Sequence, residues 1–93
     1  MLDVNSLKDT VIEFRSTTCG ICRKMKPIVD KLFNNSDIEF LELNVDEDDN
    51  SMELAESIGV STLPTFVHIV DGEYVGKATG FHQPLELKKL LLL

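Results

Sequence analysis

Apolar residues along this chain change period several times, and the changes divide it into segments. Val11, Ile12 and Phe14 make a β-branched and aromatic run that predicts a strand over Thr10–Ser16. The run is apolar on both sides, so helices are expected over both faces of its sheet. Ser16-Thr17-Thr18 breaks it. From Gly20 to Phe33 the spacing is helical, with Met25, Ile28, Val29, Leu32 and Phe33 at i, i+3, i+4, i+7 and i+8. Pro27 lies inside this helix. It lacks a backbone donor and crowds the Arg23 carbonyl, so a kink is expected there. Asn34-Asn35-Ser36-Asp37 ends the element.

A second strand is expected over Ile38–Asn44. Asn50 and Glu53 resemble a capping box that opens a helix through Met52, Ala55 and Ile58, stopped by Gly59. Met25 and Met52 are read as core. Thr65–Val70 reads as a third strand, Asp71-Gly72 as a tight hairpin turn, and Glu73–Thr79 as a fourth strand. Pro84 suits the first turn of a last helix, whose stripe is Leu87, Leu90 and Leu91. Leu90 and Leu91 are expected to cover the sheet while Leu92 and Leu93 fray. Residues 3–9 form a short helix or irregular lead-in. The order is β-α-β-α-β-β-α, an α/β fold. Its first β-α-β requires a parallel pair with a right-handed crossover, and the hairpin adds antiparallel strands. The 93 residues suffice for one core and one domain, residues 1–93.

The chemistry lies between the first strand and the first helix, in Cys19-Gly20-Ile21-Cys22, which contains the only two cysteines. Thiols at i and i+3 of a helix start are close enough for a disulfide that forms and breaks without unfolding the chain. Unpaired N–H groups of the first turn favour thiolate, the species that attacks disulfides. Redox exchange is the leading reading.

Charge narrows the partners. The net charge of −7 argues against nucleic acid, which requires a basic surface. Residues 15–31 carry five basic residues against Asp30, a net of +4, while the remainder nets −11. That patch is either a solvated helix face or a local field that helps hold Cys19 as thiolate. No run approaches the ~20 apolar residues of a membrane span. Met1-Leu2-Asp3-Val4-Asn5 has no basic or apolar leader character, so a cytoplasmic location is expected. Structural disulfides are rare in that compartment, which favours a catalytic or metal-binding pair.

From about Thr10 to Leu91 the chain resembles the thioredoxin family. The resemblance is carried by Glu13-Phe14, Cys19-Gly20-Ile21-Cys22, Pro27, Leu43-Asn44-Val45-Asp46, Leu63-Pro64-Thr65, Asp71-Gly72 and Gly80. It implies a thioredoxin fold in a minimal form, a four-stranded mixed sheet flanked by helices, because only nine residues precede Thr10. It also implies a protein-disulfide reductase. Cys19 would attack and form a mixed disulfide, and Cys22 would resolve it. Pro64 would follow a cis peptide bond beside the cysteines, where on its own it would pass for an ordinary strand-entry proline. Leu63 would pair with substrate backbone as a short strand. Thr18, Gly20, Ile21, Leu63, Pro64 and Gly80 would border the substrate. No cofactor would be bound. Electrons would come from NADPH through a thioredoxin reductase, and the partners would be that reductase and disulfide-containing proteins, met by a monomer.

Three departures change that picture. Thr18 stands where the family usually has Trp, which alters substrate contact. Gly20-Ile21 replaces the usual Gly-Pro and restores a backbone donor at the helix start, so a more oxidising potential than a typical thioredoxin is expected. Glu13 stands at the family's buried aspartate. Pointing inward, it would exchange the proton of Cys22 with its pKa raised by desolvation; pointing outward, it is an ordinary strand glutamate. Glu42 replaces the lysine beside that aspartate, and two neighbouring carboxylates raise the pKa of at least one.

Other chemistries fit less of the pattern. His68 and His82 could join the cysteines around zinc, but thirteen residues separate them, unlike the usual short histidine spacing. His68 alternates with Phe66 and Val70 and reads as a packed strand residue. Two thiolates are too few for an iron–sulfur cluster. A glutaredoxin-like, glutathione-dependent enzyme fits the short N-terminus, but Thr79-Gly80-Phe81 stands where that family has a double glycine. A non-catalytic binding module would have no need of both cysteines.

Overall fold

The computed structural model describes residues 3–93. Met1 and Leu2, part of the N-terminus read above for a leader, lie outside the described residues. A single 3₁₀ turn at Val4–Ser6 precedes strand β1, Asp9–Arg15. Then follow helix α1, Gly20–Phe33; β2, Glu39–Asn44; α2, Asp49–Ile58; β3, Thr65–Val70; β4, Glu73–Thr79; and α3, Pro84–Leu90.

The sheet order is β2-β1-β3-β4. β1 runs parallel to β2 and antiparallel to β3, and β3 and β4 form the hairpin. Asp71 and Gly72 take φ of 50° and 82° at its turn, the left-handed pair that matches strand twist. Central strand β1 has helices on both sides. Val11 joins Met25, Val29, Phe33, Phe66, Ala78, Leu87 and Leu91 in one core cluster, beneath α1 and α3. Ile12 and Phe14 join Ala55, Val67 and Ile69 beneath α2. Phe33 stacks on Phe40 with ring centroids 4.6 Å apart, tying the end of α1 to β2.

Local details differ from expectation in four places. The N-cap of α2 is Asp48, whose carboxylate accepts from the Asn50 N–H at 3.0 Å and the Ser51 hydroxyl at 3.1 Å. A carboxylate two residues earlier takes the role assigned to Asn50. Starting there, α2 presents Ser51, Leu54, Ala55 and Ile58 to the sheet, and Met52 is 40% exposed rather than core. In α3, Leu87 and Leu91 are buried at i and i+4, and Leu90 points outward. The last leucines do not fray. The Leu92 N–H donates to Lys89 O and the Leu93 N–H to Lys88 O at 2.9 Å, with Leu92 at φ 57°. That is a Schellman closure without the usual glycine.

Candidate active site

Strand directions gather the reactive residues at one end of the sheet. The parallel pair matches Arg15 with Asn44, and the antiparallel pairs match Phe14 with Thr65 and Thr65 with Thr79. The segments that follow β1, β2 and β4, and the one that precedes β3, therefore converge. They carry the cysteines, Asp46, Gly80 and Pro64.

The loop from β1 into α1 is held from β2. The Thr17 N–H donates to both Asp46 carboxylate oxygens at 3.1 Å, and the Thr17 hydroxyl donates to Oδ2. The hydroxyl bond holds the Asp46 pKa below its ordinary value. With the loop fixed, Cys19 becomes the N-cap of α1.

Cys19 and Cys22 form a disulfide with Cα atoms 5.2 Å apart. The two sulfurs are not equivalent. Cys22 is fully buried, and Cys19 is partly exposed. The Cys22 N–H donates to Cys19 Sγ at 3.1 Å. An N–H aimed at that sulfur stabilises it more as thiolate than as thiol. Thr18, Gly20 and Ile21 are exposed around the pair, and a Cβ on Gly20 would meet nothing within 4 Å.

Glu13 lies on the α1 side of β1 and is 1% exposed. Its register partners are Glu42 on β2 and Phe66 on β3. Burial pushes its carboxyl from the ordinary 4.5 up to about 7; Arg15 pulls it down and Glu42 pushes it further up. A group titrating there can take and return a proton near neutral pH.

The Leu63–Pro64 peptide is cis. Pro64 is buried and Leu63 partly buried. The Pro64 carbonyl accepts from the Gly80 N–H at 2.9 Å. Gly80 takes φ 79°, a conformation open to glycine, so it can turn out of β4 and reach back to Pro64. The chain thus brings Cys19, Cys22, Thr18, Gly20, Ile21, Leu63, Pro64 and Gly80 to one end of the sheet, with Glu13 beneath the surface. Among the described residues, no group of three or more His, Cys, Asp or Glu could hold a metal. His68 and His82 spend their ring nitrogens on protein partners: Leu91 O and Asp9 for the first, Thr79 O and Glu86 for the second. Sequence reasoning missed the bonds from Thr17 to Asp46 and from Arg15 to Glu42. Thr17 and Asp46 stand 29 positions apart, and no spacing rule connects them.

The thioredoxin family model matches residues 2–92. The chain belongs to the thioredoxin family. It is 39% identical over 80 residues to the mitochondrial Thioredoxin-3 of Saccharomyces cerevisiae, covering 85% of this chain and 60% of that protein. To a Staphylococcus haemolyticus thioredoxin it is 31% identical over 83 residues, covering 87% and 77%. Among solved structures, the oxidised mitochondrial thioredoxin 3 of S. cerevisiae superposes with a TM-score of 0.81 at 34% identity, covering 96% of this chain and 81% of that one. The chain spans about three fifths of the length of the first curated relatives it matches. The four-stranded mixed sheet is a thioredoxin fold.

Proposed function

We propose that this chain is a thiol-disulfide oxidoreductase that reduces protein disulfides through Cys19 and Cys22. The observation that carries the reading is the asymmetry of the pair. One sulfur is partly exposed at a helix start, and the other is buried one turn along. In the reduced protein, the Cys19 thiolate attacks a substrate disulfide. A mixed disulfide forms and one substrate thiolate leaves. Cys22 gives its proton to Glu13, attacks Cys19 Sγ, and expels the second substrate thiolate. The chain is left with the Cys19–Cys22 disulfide, and the substrate has gained two electrons. Leu63 and Pro64, with Thr18, Gly20, Ile21 and Gly80, seat the substrate backbone.

Electrons come from NADPH through a thioredoxin reductase. A similarity over 83 residues to the Arabidopsis thaliana "NADPH-dependent thioredoxin reductase 3", covering 15% of that protein, supports this pairing. A monomer in the cytoplasm, a reducing compartment, completes the reading.

The test is turnover of insulin disulfides with thioredoxin reductase and NADPH, run beside an assay with glutathione and glutathione reductase. Turnover in the first system alone is expected. Cys19→Ser should abolish it, and Cys22→Ser should accumulate a mixed disulfide with substrate. Turnover with glutathione only would transfer the chain to glutathione-dependent chemistry.

A further inference from the structure

Glu13 and Arg15 lie two positions apart on the same face of β1. Each has a buried polar atom, Glu13 Oε2 and Arg15 Nε, with no hydrogen-bond partner among the described residues. The Arg15 guanidinium is committed elsewhere. Its Nη1 donates to Glu42 Oε2 at 2.5 Å. Glu42 is the β2 residue in register with Glu13, and it is better solvated than Arg15, at 35% against 13% side-chain exposure. A second cation follows the same pattern. Lys26 on α1 lies 3.2 Å from Asp30 and 3.7 Å from Glu42. Two positive groups that face Glu13 are thus drawn to other carboxylates.

We propose that Glu42 is a positioning residue for Glu13, holding the Arg15 guanidinium at the sheet edge so that this cation does not pair with the buried carboxylate. The physical reason is competition. A guanidinium gains more from a partly solvated carboxylate that keeps its other contacts with water than from one whose ionisation must first overcome burial. If Arg15 paired with Glu13 instead, the carboxylate would be stabilised as an anion and would lose its capacity to hold a proton near neutral pH. The groups that face Glu13 are Arg15 from its own strand, Glu42 from β2, and Lys26 and Asp30 from α1, with Phe66 opposite on β3. In functional meaning the proposal rests on Glu13 as proton carrier; its test does not.

The test follows the Glu13 side-chain carboxyl by carbon-13 NMR through a pH titration of the oxidised protein. Wild type is compared with Glu42→Gln, Arg15→Gln and the double variant. Glu42→Gln should lower the Glu13 midpoint by about one pH unit. Arg15→Gln should raise it. In the Arg15→Gln background, Glu42→Gln should move the midpoint by less than half as much, because no guanidinium remains to be released. Equal shifts in the two backgrounds would mean that Glu42 acts only through its own charge, and would overturn the proposal. An unchanged midpoint in Glu42→Gln would do the same. If Arg15→Gln does not fold, Arg15→Met keeps the aliphatic stem and completes the cycle. The proton role is judged separately, by turnover of Glu13→Gln against pH, so the two readings can fail independently.

Discussion

His68 Nδ1 lies 2.7 Å from the carbonyl oxygen of Leu91, across 23 positions of sequence. A carbonyl only accepts, so Nδ1 is the donor in this contact. The other ring nitrogen, Nε2, lies 2.6 Å from Asp9 Oδ1. The imidazole therefore ties the C-terminal end of α3 to the first residue of β1. Gly76, the register partner of His68 on β4, makes room for this contact. A Cβ there would come within 2.8 Å of the Leu91 backbone.

Gly76→Ala is therefore expected to destabilise the fold by about 1–3 kcal/mol, because the clash is with backbone and the last turn must move. Urea unfolding checks this through a lower midpoint at unchanged slope. Gly20→Ala, which meets open space, is the control and should leave the midpoint nearly unchanged.

Stability should fall as pH rises through Glu13's titration range. The folded protein holds a proton on Glu13 up to about pH 7, whereas the unfolded chain releases it near the ordinary 4.5. Between those values the native state binds more protons, so raising pH favours unfolding, by about 3 kcal/mol over the whole interval. The loss is complete above pH 7. Glu13→Gln should flatten this slope in urea titrations run from pH 4.5 to 8. A wild-type profile that rises over that interval would contradict the burial argument.

Ile21 occupies the second position of α1, where a proline is geometrically allowed but its N–H would be lost. That N–H is one of the unpaired first-turn donors available to a thiolate on Cys19. Ile21→Pro should make the couple more reducing by about 30 mV, the equivalent of one charge-assisted hydrogen bond of about 1.4 kcal/mol. Equilibration against a glutathione buffer measures it. A shift in the opposite direction would remove the first-turn donor from the account.

Asp46→Ala should release the loop that precedes Cys19. Thr17 loses its carboxylate acceptor, and its amide should exchange with solvent about tenfold faster. Amides in the centre of β3 should be unaffected. Because hydrogen bonding holds the Asp46 carboxyl below its usual pKa, the same loosening should appear in the unmutated chain as acid finally protonates it.

Local pattern carried most of the architecture. The helical stripe after Gly20, the hairpin at Asp71-Gly72 and the doubly apolar first strand each follow from residues a few positions apart, and all three stand in the structure. The cysteine pair was legible for the same reason. What escaped was settled by register or by competition between neighbours. Asp48 displaced Asn50 as the cap because its carboxylate captures the Asn50 N–H and the Ser51 hydroxyl, so the helix begins before Asn50 can cap it. Leu90 turned outward because Leu87 and Leu91 had already fixed the buried face of a two-turn helix. The links from Thr17 to Asp46, Arg15 to Glu42 and His68 to Leu91 depend on which strands become neighbours, and one-dimensional periodicity does not contain that information.

β2 forms an outer strand of the sheet, and Glu39 and Glu42 stand on it. An open strand edge is a template on which another copy of the chain could extend the ladder and seed fibres. Glu39 and Glu42 stand on opposite faces of that strand, so pairing two β2 edges would set one carboxylate of each copy on each face of the new seam. Glu42 is neutralised there by Arg15 and Lys26, so the exposed Glu39, in no ion pair among the described residues, is the carboxylate whose charge opposes such pairing.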